Sequence, residues 1–394
     1  MKVRLVSIFA AISLAACGGG SGGTSTSTDN CKALDSTEFS CSQSMNNVVD
    51  LAMVPAAAAF TDLAETLNTQ VAAYCADNTD AAKQTAARTA WQQAMLQWQE
   101  LDVMQFGPLD AETRSYIYTW PESDTCKVDE TVVLAKQAGF DVAITTPPRR
   151  GLDALEYLLF NENLTLSCAD TNKTQAMIAW ESGVEANKKA DRCDYAKLVA
   201  ANLEQKATEL EASARAYDVD GQNPSLQGFA NSMSDALFYV DKLTKDSKLG
   251  EVLPAANRIS FTADKLEFQY ADINLEAIRS NLIGALAVIN GGNGGGLDDY
   301  LAAAGQKDLA DTMKAKLQTA IDASADANIS TSYRDLINGG DADACYQITD
   351  DDTNNFTRLC SLDDKIKDFT DDLKNQFVLN LGFSTPNNAE GDND

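Results

Sequence analysis

The sequence predicts an all-α fold in which amphipathic helices pack as bundles. Apolar residues recur at three- and four-residue steps between Trp91 and Leu101, which places one apolar stripe along a helix. The same spacing returns in residues 196–214 and 301–321, where alanine and leucine form the stripe. Alternating runs typical of strands are scarce. Helices that have no sheet to cover bury their stripes against one another.

The first 17 residues are predicted to be a secretory leader. Lys2 and Arg4 precede an apolar run that is too short to span a bilayer and ends in Leu-Ala-Ala before Cys17. This ending resembles a bacterial lipobox, whose cysteine is lipidated and becomes the mature N-terminus. The alternative is an ordinary signal peptide with a chance cysteine. Gly18 follows, and by resemblance to lipoprotein sorting signals it favours the outer membrane.

Residues 18–30 are rich in glycine, serine and threonine, which is typical of a flexible tether. We expect no membrane-spanning segment after the leader. The sequence therefore predicts a lipid-anchored protein in the cell envelope of a Gram-negative bacterium. The outer membrane is favoured, and the body would face the periplasm or the cell surface.

The body is long enough for two domains. Turn-forming residues are concentrated just after residue 217, where Asp220-Gly221 is followed by Pro224. We therefore expect one helical bundle over residues 31–217 and a second over 218–385. The polar tail 386–394 is predicted to be disordered.

The chain has nine cysteines, and eight remain when Cys17 is set aside. An even number in an exported chain predicts disulfides, and the absence of close CxxC pairs disfavours a thiolate zinc site. Eight cysteines allow 105 pairings. Short loops favour three pairs and leave a fourth: Cys31–Cys41, Cys168–Cys193, Cys345–Cys360 and Cys75–Cys126.

The charge and the absence of histidine exclude several classes of protein. The formal charge is −27, so the body repels nucleic acid and attracts cations in general. Without histidine there is no Ser-His-Asp triad, no Cys-His pair and no His-ligated zinc or copper site. The glycine run 291–296 is not followed by Lys-Ser/Thr, so it is not a phosphate-binding loop.

Two acids stand out in the segment "RRGLDALEYLLF" (149–160). Asp153 and Glu156 are three residues apart and share one face of the helix predicted to begin near Gly151. First-turn acids commonly do no more than stabilise a helix through its dipole. Glu156, however, is set among leucines, and a buried glutamate needs a cation, a donor or a raised pKa. Arg149 and Arg150 are candidate partners for it.

The segment "GLDALEYLLF" resembles the signature of the imelysin family, also called the insulin-cleaving membrane protease family (peptidase M75). That signature reads Gly-x-His-x-x-Glu, commonly continued by Tyr-Leu-Leu-Phe. Gly151, Glu156 and the continuation from Tyr157 match, but Asp153 stands where the family has histidine.

Further segments resemble the family in the expected order, and the likeness covers roughly residues 45–380. The segments are "AWQQAMLQWQELDVMQFGPLD" (90–110), "YIYTWP" (116–121), "FYVDKLTKDSKLG" (238–250) and "EFQYADINLEAIRSNLIGALAVING" (267–291).

The resemblance implies two helical-bundle domains with the signature helix lining a cleft at their interface. It also implies an exported protein linked to iron uptake, with iron-uptake components as partners. The signature residues would be Asp153 and Glu156, supported by Arg150, Gly151 and Tyr157. Two carboxylates are too few for a complete metal cage. We name Glu100 and Asp102 as further ligands, with Asp241, Glu267 and Asp272 as weaker candidates.

Three functions remain open. The leading hypothesis is a non-catalytic protein that binds a metal ion or a metal-bearing ligand at the cleft, with iron or calcium as the ion, since carboxylates suit hard cations. The second is a metal-dependent peptidase at the same site, which the absence of histidine disfavours. The third is a surface scaffold that has lost the family's site.

Overall fold

The computed structural model describes residues 30–223, 225–253, 265–325, 333–339 and 355–378. The predicted leader with Cys17, nearly all of the tether and the polar tail lie outside these residues. The described part contains helices and no strand, so the predicted all-α class is confirmed. The boundary between residues 217 and 218 stays a prediction.

Sixteen α-helices are found in the described ranges. They are α1 (Asn30–Ala33), α2 (Cys41–Asn47), α3 (Val54–Ala76), α4 (Ala81–Asp102), α5 (Ala111–Ile117), α6 (Thr125–Leu134), α7 (Gly151–Phe160), α8 (Gln175–Glu181), α9 (Glu185–Arg215), α10 (Val219–Gln222), α11 (Leu226–Tyr239), α12 (Asn274–Asn290), α13 (Leu297–Ala303), α14 (Lys307–Ser324), α15 (Tyr333–Gly339) and α16 (Asn355–Asp372).

Other helical turns interrupt this series. The 3₁₀ turns are Val142–Ile144, Pro147–Arg149, Asp170–Asn172 and Gly291–Asn293, and the π-helical segments are Val48–Met53, Val240–Gly250 and Leu373–Phe377. Several helices begin at a side-chain cap that accepts a hydrogen bond from a free backbone N–H of the first turn. These caps are Ser40, Asp80, Asp110, Asp124, Thr174 and Ser225.

The long helices α3, α4 and α9 pack side by side, and α4 also packs against α12. The predicted stripe on α4 forms this core: Trp91 and Trp98 are fully buried, and the Trp98 ring lies 5.3 Å from that of Phe60 on α3. Helix α12 approaches α4 closely at Gly284, where a Cβ would lie 2.2 Å from the carbonyl oxygen of Glu100. A side chain there would push the two helices apart.

Residues 30–53 pack against elements from the second half of the chain, including α11, α12 and α13. The glycine run supplies part of this contact. Asn47 Nδ2 donates to the carbonyl oxygen of Gly294 at 2.5 Å, and a Cβ on Gly292 would lie 2.1 Å from the carbonyl oxygen of Leu51. The run is therefore a close-packing surface, which agrees with its exclusion as a phosphate loop.

Three disulfides are seen among the described cysteines. Cys31–Cys41 is present as predicted, but the predictions Cys168–Cys193 and Cys75–Cys126 are wrong. The pairs are Cys75–Cys193, which joins the end of α3 to α9, and Cys126–Cys168. Choosing the shortest loops gave the wrong pairs because the packing of α3 on α9 brings together cysteines that are far apart in the sequence. Cys360 is disulfide-bonded, and Cys345, its predicted partner, lies outside the described residues.

One helical stretch among the described residues, Cys41–Ala76, is long and apolar enough to cross a membrane by length and composition. The expectation that no segment after the leader meets this criterion was therefore wrong. The stretch includes α3, whose Phe60, Leu67 and Val71 are fully buried against the other helices. A core helix of a folded body passes the same test, so the finding adds little evidence for a span.

Candidate functional site: a cavity with two buried carboxylates

Helix α7 begins at a glycine because no other residue fits there. Gly151 has φ +82°, and a Cβ would lie 2.5 Å from the carbonyl oxygen of Ile117. The next residue, Leu152, accepts a hydrogen bond of 3.0 Å at its carbonyl oxygen from Trp91 Nε1. The start of α7 is thereby fixed against α4 and α5, and this fixes the direction of the two acids that follow.

Asp153 lies on the first turn of α7 and is partly buried. Its Oδ2 accepts hydrogen bonds from the backbone N–H of Thr119 at 2.7 Å and from the Thr119 hydroxyl at 2.8 Å. Burial raises the pKa of Asp153 to about 6, although the two Thr119 donors and the charge of Arg114 act in the opposite direction. The Thr119 hydrogen bonds fix the orientation of the carboxylate.

Glu156 lies one turn further along α7 and is 7% exposed. Its Oε1 accepts hydrogen bonds from the backbone N–H groups of Tyr270 at 3.0 Å and Ala271 at 2.9 Å. Burial raises the pKa of Glu156 to about 8, and the charges of Asp153 and Glu267 act in the same direction. Neither Arg149 nor Arg150, the partners considered from the sequence, reaches it.

Each of these carboxylates has one oxygen without a donor. Among the described residues, no hydrogen bond reaches Oδ1 of Asp153 or Oε2 of Glu156, and neither acid forms an ion pair within 4.0 Å. Both acids line a cavity of about 340 Å³. Other acids and several rings line it too: Glu251, Glu267, Trp120, Tyr157 and Tyr270.

Glu267 is tied to a buried lysine at the edge of this cavity. Its Oε1 accepts from the Tyr118 hydroxyl at 2.5 Å and from Gln99 Nε2 at 3.0 Å, while its Oε2 lies 3.0 Å from Lys248 Nζ. Lys248 Nζ also donates to Gln99 Oε1 and Asn281 Oδ1, both at 2.7 Å. Burial lowers the pKa of Lys248, and the charge of Glu267 opposes this shift.

The structure does not bring Glu100 and Asp102 to the cavity. Asp102 is fully buried and forms a bidentate ion pair with Arg114, at 2.7 Å and 3.0 Å, and it also accepts from the Tyr239 hydroxyl. Glu100 lies on another face of α4, where Gln97 donates to it. The side chains of residues two apart on a helix point about 200° away from each other. Glu100 and Asp102 therefore lie on different faces of α4 and cannot both be ligands of one site.

Of the weaker candidates, only Glu267 lines the cavity. Asp241 is fully buried elsewhere, with lysines 245 and 374 at 3.3 Å and 3.4 Å. Asp272 has φ +52° and is not a lining residue. Sequence reasoning missed Thr119, Lys248 and the backbone N–H groups of residues 270–271. The segment "YIYTWP" contains Thr119, and this was the one signal that could have pointed to it.

Arg150 and Tyr157 support α7 from outside the acid pair. Arg150 Nη1 donates to the carbonyl oxygen of Ala143, and its guanidinium carbon lies 4.1 Å from the centre of the Tyr116 ring. The Tyr157 hydroxyl donates to Asp129 at 2.9 Å, although the residue also lines the cavity. Arg149 pairs with Glu130 at 2.8 Å. These contacts are structural.

The two carboxylates of Asp153 and Glu156 could supply some, but not all, of the ligands of a metal ion. Within the described ranges, no group of three or more cysteine, aspartate or glutamate residues is arranged to hold a metal ion. Asp153 and Glu156 offer two oxygens, and Glu267 is engaged by Lys248. Hard cations take six or more oxygen ligands, so the remaining donors would have to come from a bound molecule or from water.

The fold and this site define an all-helical protein that presents a pair of buried acids, one turn apart, to a cavity. The family model for imelysin (peptidase M75) matches residues 53–355, so the chain belongs to the imelysin family. No curated protein matches the chain.

Solved structures that share the fold include the following two. An imelysin-like protein from Psychrobacter arcticum 273-4 is 17% identical with a TM-score of 0.62, and the match covers 88% of this chain and 97% of that one. A putative iron-regulated protein A precursor from Parabacteroides distasonis ATCC 8503 is 14% identical with a TM-score of 0.60, covering 87% and 95%.

Proposed function

We propose that the chain is an exported, lipid-anchored protein that binds a metal-bearing ligand at the cavity of Asp153 and Glu156, in iron acquisition. The observation that carries the proposal is the state of the two carboxylates. Each is oriented by two donors on one oxygen, while its other oxygen has no donor among the described residues. Buried acids are normally paired, so a bound cation would complete this arrangement.

A metal that arrives with its own ligand suits this cavity better than a bare ion. The protein supplies two unpaired carboxylate oxygens, and a volume of about 340 Å³ leaves room for other donors. Carboxylates suit hard cations, among them ferric iron. The name of the Parabacteroides protein, an iron-regulated protein A precursor, supports an iron context. The disulfides support export.

Calorimetric titration with ferric citrate, Ca²⁺ and Zn²⁺ tests the proposal. The double variant Asp153→Asn/Glu156→Gln removes both charges with little change of shape. Asp308→Asn/Asp311→Asn is the matched control, because it removes two acids with the same spacing from the surface of α14. We expect saturable binding of ferric citrate that weakens at least about tenfold in the first variant only.

Equal weak binding by the wild type and both variants would leave only the acidic surface, as expected for a scaffold that has lost the site. Proteolysis of a denatured substrate that a chelator abolishes would instead favour the metal-dependent peptidase.

A further inference from the structure

A second cavity, of about 520 Å³, lies at the other end of α7. It is bounded by the C-terminal residues of α7, the beginning of α4 and the first turns of α9. None of its lining residues lines the cavity of Asp153 and Glu156. The function proposed above makes no use of it.

Three cations line this second cavity, although the whole chain carries a formal charge of −27. Arg88 comes from α4, and Lys189 and Arg192 come from α9. Two acids, Glu162 and Glu185, also line it. The lining residues carry one net positive charge, and Asp129, which pairs with Arg192 from behind the wall, balances it. The local charge is therefore close to zero on an otherwise acidic protein, and this favours an anionic occupant here over the rest of the surface.

Arg88 and Arg192 neutralise the negative end of the α7 helix dipole, which would otherwise repel an anion in this cavity. The last carbonyl groups of a helix carry partial negative charge and would repel an anion. Here Arg88 Nε donates to the carbonyl oxygen of Leu159 at 2.8 Å, and Arg192 Nη1 donates to that of Asn161 at 3.1 Å. The end of α7 is thereby capped by positive charge.

Arg192 has a donor that the protein itself does not use. The residue is 4% exposed, and its Nη2 lies 3.2 Å from Asp129 Oδ1. Its Nε has no acceptor among the described residues, although buried donors are normally satisfied. An anionic oxygen in the cavity would provide an acceptor next to this guanidinium.

The two acids that line the cavity pair with its cations, and a bound anion could replace them in these ion pairs. The Glu162 side chain is 73% exposed and lies 2.9 Å from Arg88, and that of Glu185 is 69% exposed and lies 2.7 Å from Lys189. Such exposed ion pairs contribute little to stability. A bound anion can therefore replace either glutamate at small cost, while the glutamates shield the cations in its absence.

We propose that this second cavity binds a small organic anion. Its carboxylate or phosphate oxygens would lie among the three cations, Arg88, Lys189 and Arg192. Its apolar part would lie against Leu158, Leu159 and Leu164, which also line the cavity. The walls of this cavity are more polar than those of a typical small-molecule site. The charged groups would therefore make most of the contacts with the anion, and the three leucines would add a smaller apolar surface.

Calorimetry on the full chain at low ionic strength tests this proposal, with hexanoate, phenyl phosphate and citrate as anions and hexylamine as the cationic control. The variant Lys189→Met removes one cation from the cavity. Lys197→Met is the matched control, since Lys197 is on the same helix, is similarly exposed and also pairs with an acid one turn before it, Asp194. Arg88→Met serves as a second variant, with its fold checked by circular dichroism.

We expect saturable one-site binding of at least one of these anions, no binding of hexylamine, and a loss of at least about fivefold in affinity in Lys189→Met but not in Lys197→Met. Asp153→Asn/Glu156→Gln should bind the anion at least as tightly as the wild type, which separates this proposal from the proposed function. Absence of saturable binding of all three anions, or an equal loss in Lys197→Met, would overturn the proposal.

Discussion

Glu156 is a buried acid with no counter-charge in direct contact. Two backbone N–H groups stabilise its ionised form, but burial outweighs them and raises the pKa to about 8. Burial also raises the pKa of Asp153, one turn earlier, to about 6. Ionising both acids therefore costs stability. A bound cation would remove that cost, because it would supply the missing charge.

The pH dependence of stability should reveal these two acids. Their folded-state pKa values lie above the usual 3.8 and 4.5, so the folded state binds protons more tightly and loses stability as pH rises from about 4 to about 8. The isosteric Asp153→Asn/Glu156→Gln protein lacks this loss. We expect it to be more stable than the wild type at pH 9, by several kcal/mol, and nearly equal at pH 4.

Urea denaturation at both pH values measures this difference. The surface variant Asp308→Asn/Asp311→Asn is the control and should show no comparable change between the two. A stability difference that is the same at pH 4 and pH 9 would contradict the assignment of raised pKa values to Asp153 and Glu156.

Gly151 offers a second prediction at the residue scale. Gly151→Ala combines a strained φ of +82° with a Cβ 2.5 Å from a backbone oxygen, so we expect a loss of at least about 3 kcal/mol in the free energy of unfolding. Gly139→Ala is the control: Gly139 has the same φ, but no atom lies within 4 Å of its Cβ position. Its loss should be about 1 kcal/mol. Equal losses would mean that the contact with Ile117 does not matter.

At the scale of elements, the π-helical segment Val240–Gly250 connects the cavity to the core. It carries Lys248, whose ammonium group reaches Glu267 at the cavity and Gln99 and Asn281 on the neighbouring helices α4 and α12. π-Helical turns often occur at functional sites. Here the segment places a buried cation behind one of the cavity's acids.

Lys248→Met should destabilise the protein by about 3–5 kcal/mol, because it leaves Glu267 buried without its counter-charge. Adding Glu267→Gln to that variant removes the uncompensated charge, and we expect it to restore at least about half of the loss. Equilibrium unfolding of Lys248→Met, of Glu267→Gln and of the double variant gives the coupling energy of the pair by a double-mutant cycle. If the double variant is no more stable than Lys248→Met, the pair is not coupled.

At the scale of the whole molecule, the disulfides differ in what they constrain. Cys75–Cys193 closes a sequence separation of 118 residues, whereas Cys31–Cys41 closes only 10. Chain entropy predicts that replacing each pair by alanine costs roughly 5 kcal/mol for the first and roughly 3 kcal/mol for the second. Urea midpoints of the two double variants measure this order. The reverse order would show that local packing outweighs loop length.

The sequence predicted what depends on local pattern. Helical periodicity gave the all-α class, and the signature segment gave the family and the shared face of Asp153 and Glu156. The surroundings of these acids come from remote segments. Thr119 and Tyr270 reach α7, and Lys248 reaches Glu267, only through tertiary packing. The proposals of Glu100 and Asp102 as ligands neglected helix geometry, because residues two apart on α4 face different ways.

Helix α7 has only ten residues and is therefore about 15 Å long, with an acidic cavity at one end and a basic cavity at the other. At an assumed separation of about 15 Å, two opposite charges attract each other by about 1 kcal/mol at an effective dielectric constant of 20 and low salt. A cation in the first cavity would then strengthen anion binding in the second about fivefold, and the reverse effect must be equal. The protein would then bind a cation and an anion cooperatively, one in each cavity.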